Sequence, residues 1–290
     1  MSLIRLLRVA LLAGCVVFGG SVTAAQVAEG EAAPQTSQEK EYEPSVGQSG
    51  KDVVWVPTPQ ALVDTMLDMA EVTPNDYLID LGSGDGRTVI AAARRRVRAL
   101  GIEYNPDMVE LSRRRAAEAG VTDLATFSNA DIFESDFSDA TVITMFLLPS
   151  INLKLRPTIL DLAPGTRIVS NSFTMAEWEA DETRELGGDC TSWCKALLWI
   201  VPAKAGGTWR VGDQTLTLRQ EFQMLSGTLG STPIEEGRLR GATISFAAGG
   251  RQYTGQVDGT RMTGQVSGGT PATWTATQIT AAPIETPTAE

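Results

Sequence analysis

Tyr77-Leu-Ile-Asp80 runs straight into Leu-Gly-Ser-Gly-Asp-Gly86, and Val89-Ile-Ala-Ala-Ala93 follows. A short apolar run, a glycine turn and an apolar helix-forming run make a strand–loop–helix unit. Such a unit is stable only where further parallel strands flank it. The glycines fall at Gly82, Gly84 and Gly86, a G-x-G-x-G spacing and not the G-x-G-x-x-G of dinucleotide sites. Glycine at these places lets the backbone take positive φ and pass close to a ligand.

The acids select that ligand. Asp80 ends the strand and Asp85 lies inside the loop. Two carboxylates beside a pyrophosphate would repel it. S-adenosylmethionine carries an ammonium and a sulfonium and no phosphate, so an acidic loop spanning Asp80, Gly82, Ser83, Gly84, Asp85 and Gly86 suits it. Glu103 stands 23 residues past Asp80, at the end of a second strand. A carboxylate there can accept both ribose hydroxyls. Asp131 follows a third strand, in reach of an adenine amino group. Each acid alone could cap a helix, but three in this order behind one glycine loop favour the cofactor.

Around this loop, residues 51–203 alternate strand-like and helix-like runs, as in a parallel α/β sheet. Thr58-Pro59 reads as a helix start, with Thr58 as N-cap. Strands are expected over 77–80, 98–104, 125–127, 140–148 and 167–172, and helices after Asn105-Pro106 and over 151–162. Segments 183–186 and 195–201 can close the sheet as a hairpin. From residue 206 to 280 the pattern becomes all-β, with glycine, threonine and apolar residues alternating, and a small barrel or sandwich is expected. Its inward positions are Trp209, Val211, Leu216, Leu218, Ile244, Phe246, Tyr253, Val257, Val266 and Trp274. Thr-Gly-Gln-Val occurs at 254–257 and again at 263–266, which fits two similar adjacent strands.

The chain has no histidine and a net charge of −11. The first fact removes Ser-His-Asp and Cys-His catalysis and imidazole metal sites. The second argues against nucleic acid as a partner. The arginine runs at 94–98 and 113–115 read as solvated helix faces. Residues 1–25 carry Arg5 and Arg8 ahead of an uncharged apolar stretch with small residues near Ala24, the grammar of an export signal. Cleavage, lipidation at Cys15 and retention as an anchor all stay open. Residues 26–50 and 281–290 have the composition of a disordered linker and tail. Cys190 and Cys194 are spaced C-x3-C, unlike redox or zinc pairs; in an exported chain a local disulfide is expected, with two free thiols as the alternative.

Val56-Pro-Thr-Pro59, Asp80–Gly86, Gly101-Ile-Glu-Tyr-Asn-Pro106, Asp131-Ile-Phe133 and Phe146-Leu-Leu-Pro149 together resemble one group of class I S-adenosylmethionine methyltransferases. That group includes bacterial proteins and the mitochondrial protein-lysine methyltransferases of the adenine nucleotide translocase and of the ATP synthase c subunit. The resemblance covers roughly residues 52–180. It implies a Rossmann-like class I methyltransferase sheet, cofactor contacts from Asp80, Gly82, Gly84, Glu103 and Asp131, and a role for Thr58 in closing the site. Ligands of open α/β sheets bind at the carboxyl ends of the strands. The methyl acceptor is therefore placed at Phe146, Leu147 and Pro149, with the Trp55 segment as a lid. Phe-Leu-Leu-Pro stands where enzymes acting on amides or nucleobases carry Asn-Pro-Pro-aromatic. The leading expectation is methylation of a lysine or other amine of a protein, with an envelope or membrane-associated substrate in view. A small-molecule or lipid acceptor, or an exported binding module built on the β domain, are the other readings.

Overall fold

The computed structural model describes residues 41–286 apart from residues 189 and 271. The expected export signal, most of the expected linker and residues 287–290 lie outside the described residues.

The first half is one seven-stranded sheet. In chain order its elements are α1 (Gln60–Met69), β1 (Tyr77–Leu81), α2 (Arg87–Arg94), β2 (Arg98–Glu103), α3 (Pro106–Glu118), β3 (Ala125–Asn129), β4 (Val142–Met145), α4 (Pro149–Leu160), β5 (Arg167–Asn171), β6 (Glu182–Glu185) and β7 (Lys195–Ile200). The strand order is β3-β2-β1-β4-β5-β7-β6. β1 to β5 are parallel; β7 runs antiparallel to β5, and β6 antiparallel to β7. Successive residues along a strand face opposite ways, so β1 sends Leu78 into one core and Ile79 and Leu81 around to the other. The first core takes Leu62 and Val63 of α1, Val89 of α2 and Val109 of α3; the second takes Ile151, Leu155 and Ile159 of α4. The order reverses at β1, whose neighbours are β2 and β4, and that reversal opens a crevice at the carboxyl ends of these strands.

α1 corrects the sequence expectation. It begins at Gln60 with Pro59 at the cap position and no side-chain capping bond. The Thr58 hydroxyl instead accepts from Asn171 Nδ2 at 3.3 Å, and its carbonyl accepts from Arg87 at 2.9 Å. Two tertiary partners have outcompeted the local cap. Asn105 does cap α3, accepting from Asp107 N at 2.9 Å. The arginine runs lie largely at the surface, as expected: Arg94, Arg96, Arg98 and Arg113 are exposed, while Arg95 bonds Asp68 at 2.5 Å and Arg113 donates to the Phe127 carbonyl.

The second half is a closed eight-stranded antiparallel barrel. Its strands are β8 (Gly207–Val211), β9 (Gln214–Glu221), β10 (Met224–Leu229), β11 (Thr232–Arg240), β12 (Thr243–Ala248), β13 (Arg251–Asp258), β14 (Arg261–Ser267) and β15 (Ala272–Ala281). β15 pairs with β8 and closes the ring. Eight of the ten expected inward positions are buried, and Val211 and Tyr253 pack against the same core half-buried. The repeated Thr-Gly-Gln-Val segments are adjacent strands with Gly255 opposite Gly264. A Cβ on Gly264 would stand 2.7 Å from the Trp274 indole nitrogen, and one on Gly255 would stand 2.9 Å from its ring. The repeat thus makes room for one tryptophan.

Both halves belong to one compact unit. Trp178, fully buried, stacks on Phe222 of the β9–β10 turn with centroids 5.9 Å apart. Gln223 donates to the Glu179 carbonyl at 2.9 Å, and Arg238 pairs with Asp181 at 2.7 Å. Buried Gln220 bonds Ala203, Ala205, Gly206 and Phe222 backbone groups, satisfying the connecting segment.

Two expected boundaries shift. The linker read as running to residue 50 gives way earlier: Gly47 N donates to Trp55 O and Trp55 N to Gln48 O, making a short strap. The tail read from 281 keeps its order to Glu285, which bridges Glu221 and pairs with Arg219 at 2.6 Å. In both cases a few backbone bonds to a neighbouring element outweigh a polar composition.

Candidate functional site

Gly82, Gly84 and Gly86 have φ of 75°, 52° and 77°, a region that side chains with a Cβ seldom enter. Gly82 N and Ser83 N both donate to the Ile102 carbonyl, at 2.9 and 3.0 Å. Gly84 N donates to Glu103 Oε2 at 2.9 Å, while Asn105 N donates to Oε1 at 2.9 Å. Glu103 therefore ties the β1 loop to the β2 end, and each of its oxygens keeps a lone pair for a further donor. Trp55 of the strap lies against the loop: a Cβ on Gly84 would sit 2.6 Å from its indole nitrogen. Gly82, Ser83, Gly84, Glu103 and Trp55, with Thr58, Asp131, Phe146 and Leu147, line one pocket at the carboxyl ends of β1, β2 and β4; Gly86, expected at the cofactor, lies outside this wall and packs closely on Ser112 and Phe127.

Asp80 is buried on its floor and accepts from Thr144 Oγ1 at 2.7 Å. Burial raises its pKa to about 7, and the charges of Asp85 and Glu103 add to the rise. Such a carboxyl is poised for a cationic partner, which would restore its ionised form. Asp85 differs. Burial raises its pKa too, but Arg87 and Arg115 outweigh that and hold it below the ordinary value. Its carboxylate bonds Arg87 Nη2 at 2.6 Å and Arg115 besides. The structure thus brings Asp85 to the loop with its charge already matched. Asp131 accepts from Phe133 N at 2.9 Å and pairs with Lys51 of the strap, whose hydrogen bond is the main cause of its lowered pKa. Lys51 also stands 4.7 Å over the Tyr104 ring.

The donor set fits S-adenosylmethionine. Ser83 lines the pocket, while its Oγ is buried against Gly101 without a hydrogen-bond partner. The pocket floor holds Asp80 and the rim holds Glu103 and Asp131, and glycine replaces side chains where a ligand would touch backbone. Among the described residues no group of His, Cys, Asp and Glu could hold a metal ion.

On the acceptor side, Phe146 lines the pocket and Leu147 packs beneath it, 4% exposed, against Gly82. Pro149 starts α4 and is exposed, outside the pocket wall. Cys190 and Cys194 are joined as a disulfide in the β6–β7 connection. Lys51, Tyr104, Phe173 and Trp193 have no place in the sequence expectation. For Trp193 a signal existed, a tryptophan enclosed between two close cysteines.

Comparison with known proteins bears on this arrangement. A family model described as the ANTKMT methyltransferase domain matches residues 80–182 and so stops short of the barrel. A protein-lysine N-methyltransferase of Saccharolobus islandicus (strain REY15A) is 41% identical over 133 residues, covering 45% of this chain and 83% of that protein. The Mus musculus lysine N-methyltransferase of the ATP synthase c subunit is 38% identical over 117 residues, covering 40% of this chain; the match spans about half the mouse protein, 47%. A crystal structure of an RNA methyltransferase from Salinibacter ruber in complex with S-adenosyl-L-homocysteine is 50% identical, with a TM-score of 0.48, covering 51% of this chain and 94% of that one.

Proposed function

We propose, from the premise that this chain belongs to the protein-lysine N-methyltransferase family that its Saccharolobus relative represents, that it methylates a lysine of a cell-envelope protein outside the cytoplasm. It is an S-adenosylmethionine-dependent methyltransferase. The observation that carries the reading is that the glycine loop leaves buried Asp80 and is held by Glu103, whose carboxylate accepts from Gly84 N. Asp80 would hold the cofactor's charged end, Glu103 its ribose hydroxyls and Asp131 its adenine, with Ser83 in the wall and Thr58 and Trp55 closing the strap.

When bound, S-adenosylmethionine supplies an electrophilic methyl group on a sulfonium. The acceptor amine gains the methyl carbon, the electron pair of the broken C–S bond stays on sulfur, and the amine's proton passes to water. A neutral amine needs no strong base for this, so a chain without histidine can run it. The protein's contribution is positioning, which converts an encounter into a unimolecular step. Phe146 and Leu147 keep water from the line of approach. Export is supported by the grammar of residues 1–25 and by the Cys190–Cys194 disulfide, a bond that persists in oxidising compartments.

The test is a tritiated-methyl assay on a cell-envelope extract, comparing wild type with Glu103→Ala, followed by amino-acid analysis of the labelled material. Methyllysine in protein, lost with Glu103→Ala, is the expected result. Label in lipid or RNA, or no binding of S-adenosylmethionine by calorimetry, would sink the reading. A fusion at residue 290 to an enzyme active only outside the cytoplasm reports the compartment.

A further inference from the structure

Three aromatic rings meet beside the methyl-transfer pocket. Phe146 follows β4 directly and lines the pocket. Phe173 follows β5 and stacks on Phe146, centroids 5.8 Å apart with 21° between planes. Trp193 comes from the distant β6–β7 connection and closes the corner, 5.6 Å from Phe146 and 5.2 Å from Phe173.

The corner is built, and it is also open. Phe173 is pinned through its carbonyl, which accepts from Ser170 Oγ at 2.8 Å and from buried Asn152 Nδ2 at 3.4 Å. Asn152 also donates to the Thr174 carbonyl at 3.1 Å. Trp193 is 42% exposed, whereas Trp178, Trp199 and Trp209 are fully buried. Its φ is 57°, in the left-handed region that a bulky residue enters only under constraint. The constraint is at hand: the Cys190–Cys194 disulfide closes a small loop around it. Core packing alone asks for neither an exposed indole nor a strained backbone.

We propose that Phe146, Phe173 and Trp193 form the clamp that receives the acceptor lysine, and that the Cys190–Cys194 disulfide holds Trp193 in it. The inference rests on the lysine-methyltransferase reading and deepens it. A lysine brings an aliphatic stem that packs on ring faces and an ammonium head that those faces attract. Because Phe146 belongs to both the corner and the pocket wall, a stem lying along the corner points its nitrogen into the pocket. The bound ammonium first loses a proton to water at the pocket mouth, and the neutral amine so formed is the species that takes the methyl group.

The experiment titrates envelope extract into the tritiated-methyl assay with Trp193→Ala, Trp193→Phe and the double variant Cys190→Ser/Cys194→Ser. Binding of S-adenosylmethionine and thermal unfolding are measured alongside. For Trp193→Ala the half-saturating extract concentration rises about tenfold, the size of one cation–aromatic contact. Its rate at saturation stays within about twofold and its cofactor affinity is unchanged. Trp193→Phe recovers most of the loss, and the double cysteine variant behaves like Trp193→Ala. An unchanged half-saturation in Trp193→Ala overturns the clamp while leaving the methyltransferase reading intact. So does a parallel fall in stability, cofactor affinity and saturated rate, the mark of a purely structural role. No protein label with wild type overturns the lysine reading itself, and the clamp with it.

Discussion

The backbone N–H of Gly84 donates to Oε2 of Glu103 at 2.9 Å. One carboxylate thus fixes the glycine loop and stands ready for the ribose. Glu103→Ala should weaken S-adenosylmethionine binding by about a hundredfold, the loss of two hydrogen bonds to a charged group. Glu103→Gln, with one oxygen left, should lose about tenfold. Calorimetry measures both; an alanine variant with wild-type affinity would show that Glu103 serves the loop alone.

Asp80 sets a pH dependence. Burial raises its folded pKa from 3.8 to about 7, so the folded protein without cofactor holds this proton more tightly than the unfolded chain. Stability from this group is present at low pH and is lost as pH rises from about 4 to about 7. Cofactor binding runs the other way, because the ligand's ammonium wants the ionised carboxylate. Affinity should fall as pH drops below about 7, approaching tenfold per unit. Asp80→Asn should flatten both trends and weaken binding throughout. Unfolding and binding measured between pH 5 and pH 8 decide this, and an undiminished slope in Asp80→Asn assigns it elsewhere.

Lys51 holds Asp131, the carboxylate expected at the adenine. If Lys51 competes with the base, Lys51→Met should tighten cofactor binding by about two- to fivefold, the usual worth of an exposed ion pair. Asp131→Ala should weaken it. Weaker binding in Lys51→Met would instead make the strap lysine a cofactor ligand.

Trp178 couples the sheet to the barrel through Phe222. Trp178→Ala should cost about 3–5 kcal/mol, as for other fully buried large aromatics, and should split denaturant unfolding into two transitions. Trp178→Phe should cost far less, because the indole N–H is buried without a partner and its removal relieves an unsatisfied donor. A single transition of wild-type midpoint in Trp178→Ala would mean that the Gln223–Glu179 and Arg238–Asp181 contacts hold the halves together without it.

The sheet was legible because its signals are local. The run from Tyr77 to Ala93 carries strand, turn and helix in neighbouring residues, and Glu103 and Asp131 stand at ends of strands that apolar runs already mark. The barrel was legible as alternation, though closure was not, since β15 meeting β8 is a pairing of residues more than sixty positions apart. The misjudged cap at Thr58 has the same origin: Asn171 and Arg87 compete for it from far along the chain. The Trp55 lid was expected, but the turn that leads into it was hidden, because Gln48 to Asp52 is polar and pairs with Trp55 only once the chain folds back. Nothing local says that Phe173 and Trp193 meet, although the two cysteines around Trp193 mark it. Each is an ordinary aromatic residue until folding sets it 5.2 Å from the other.

Closure of the barrel also bears on how the protein behaves in a crowd. A strand with unpaired backbone is a template on which another chain can build. The ring from β8 to β15 adds eight strands and no free edge. Among the described residues the open sheet edges are those of β3 and β6, and β6 reads Glu-Thr-Arg-Glu, a short charged border that discourages edge-to-edge growth. The barrel half of this enzyme thus offers another chain no strand to build on.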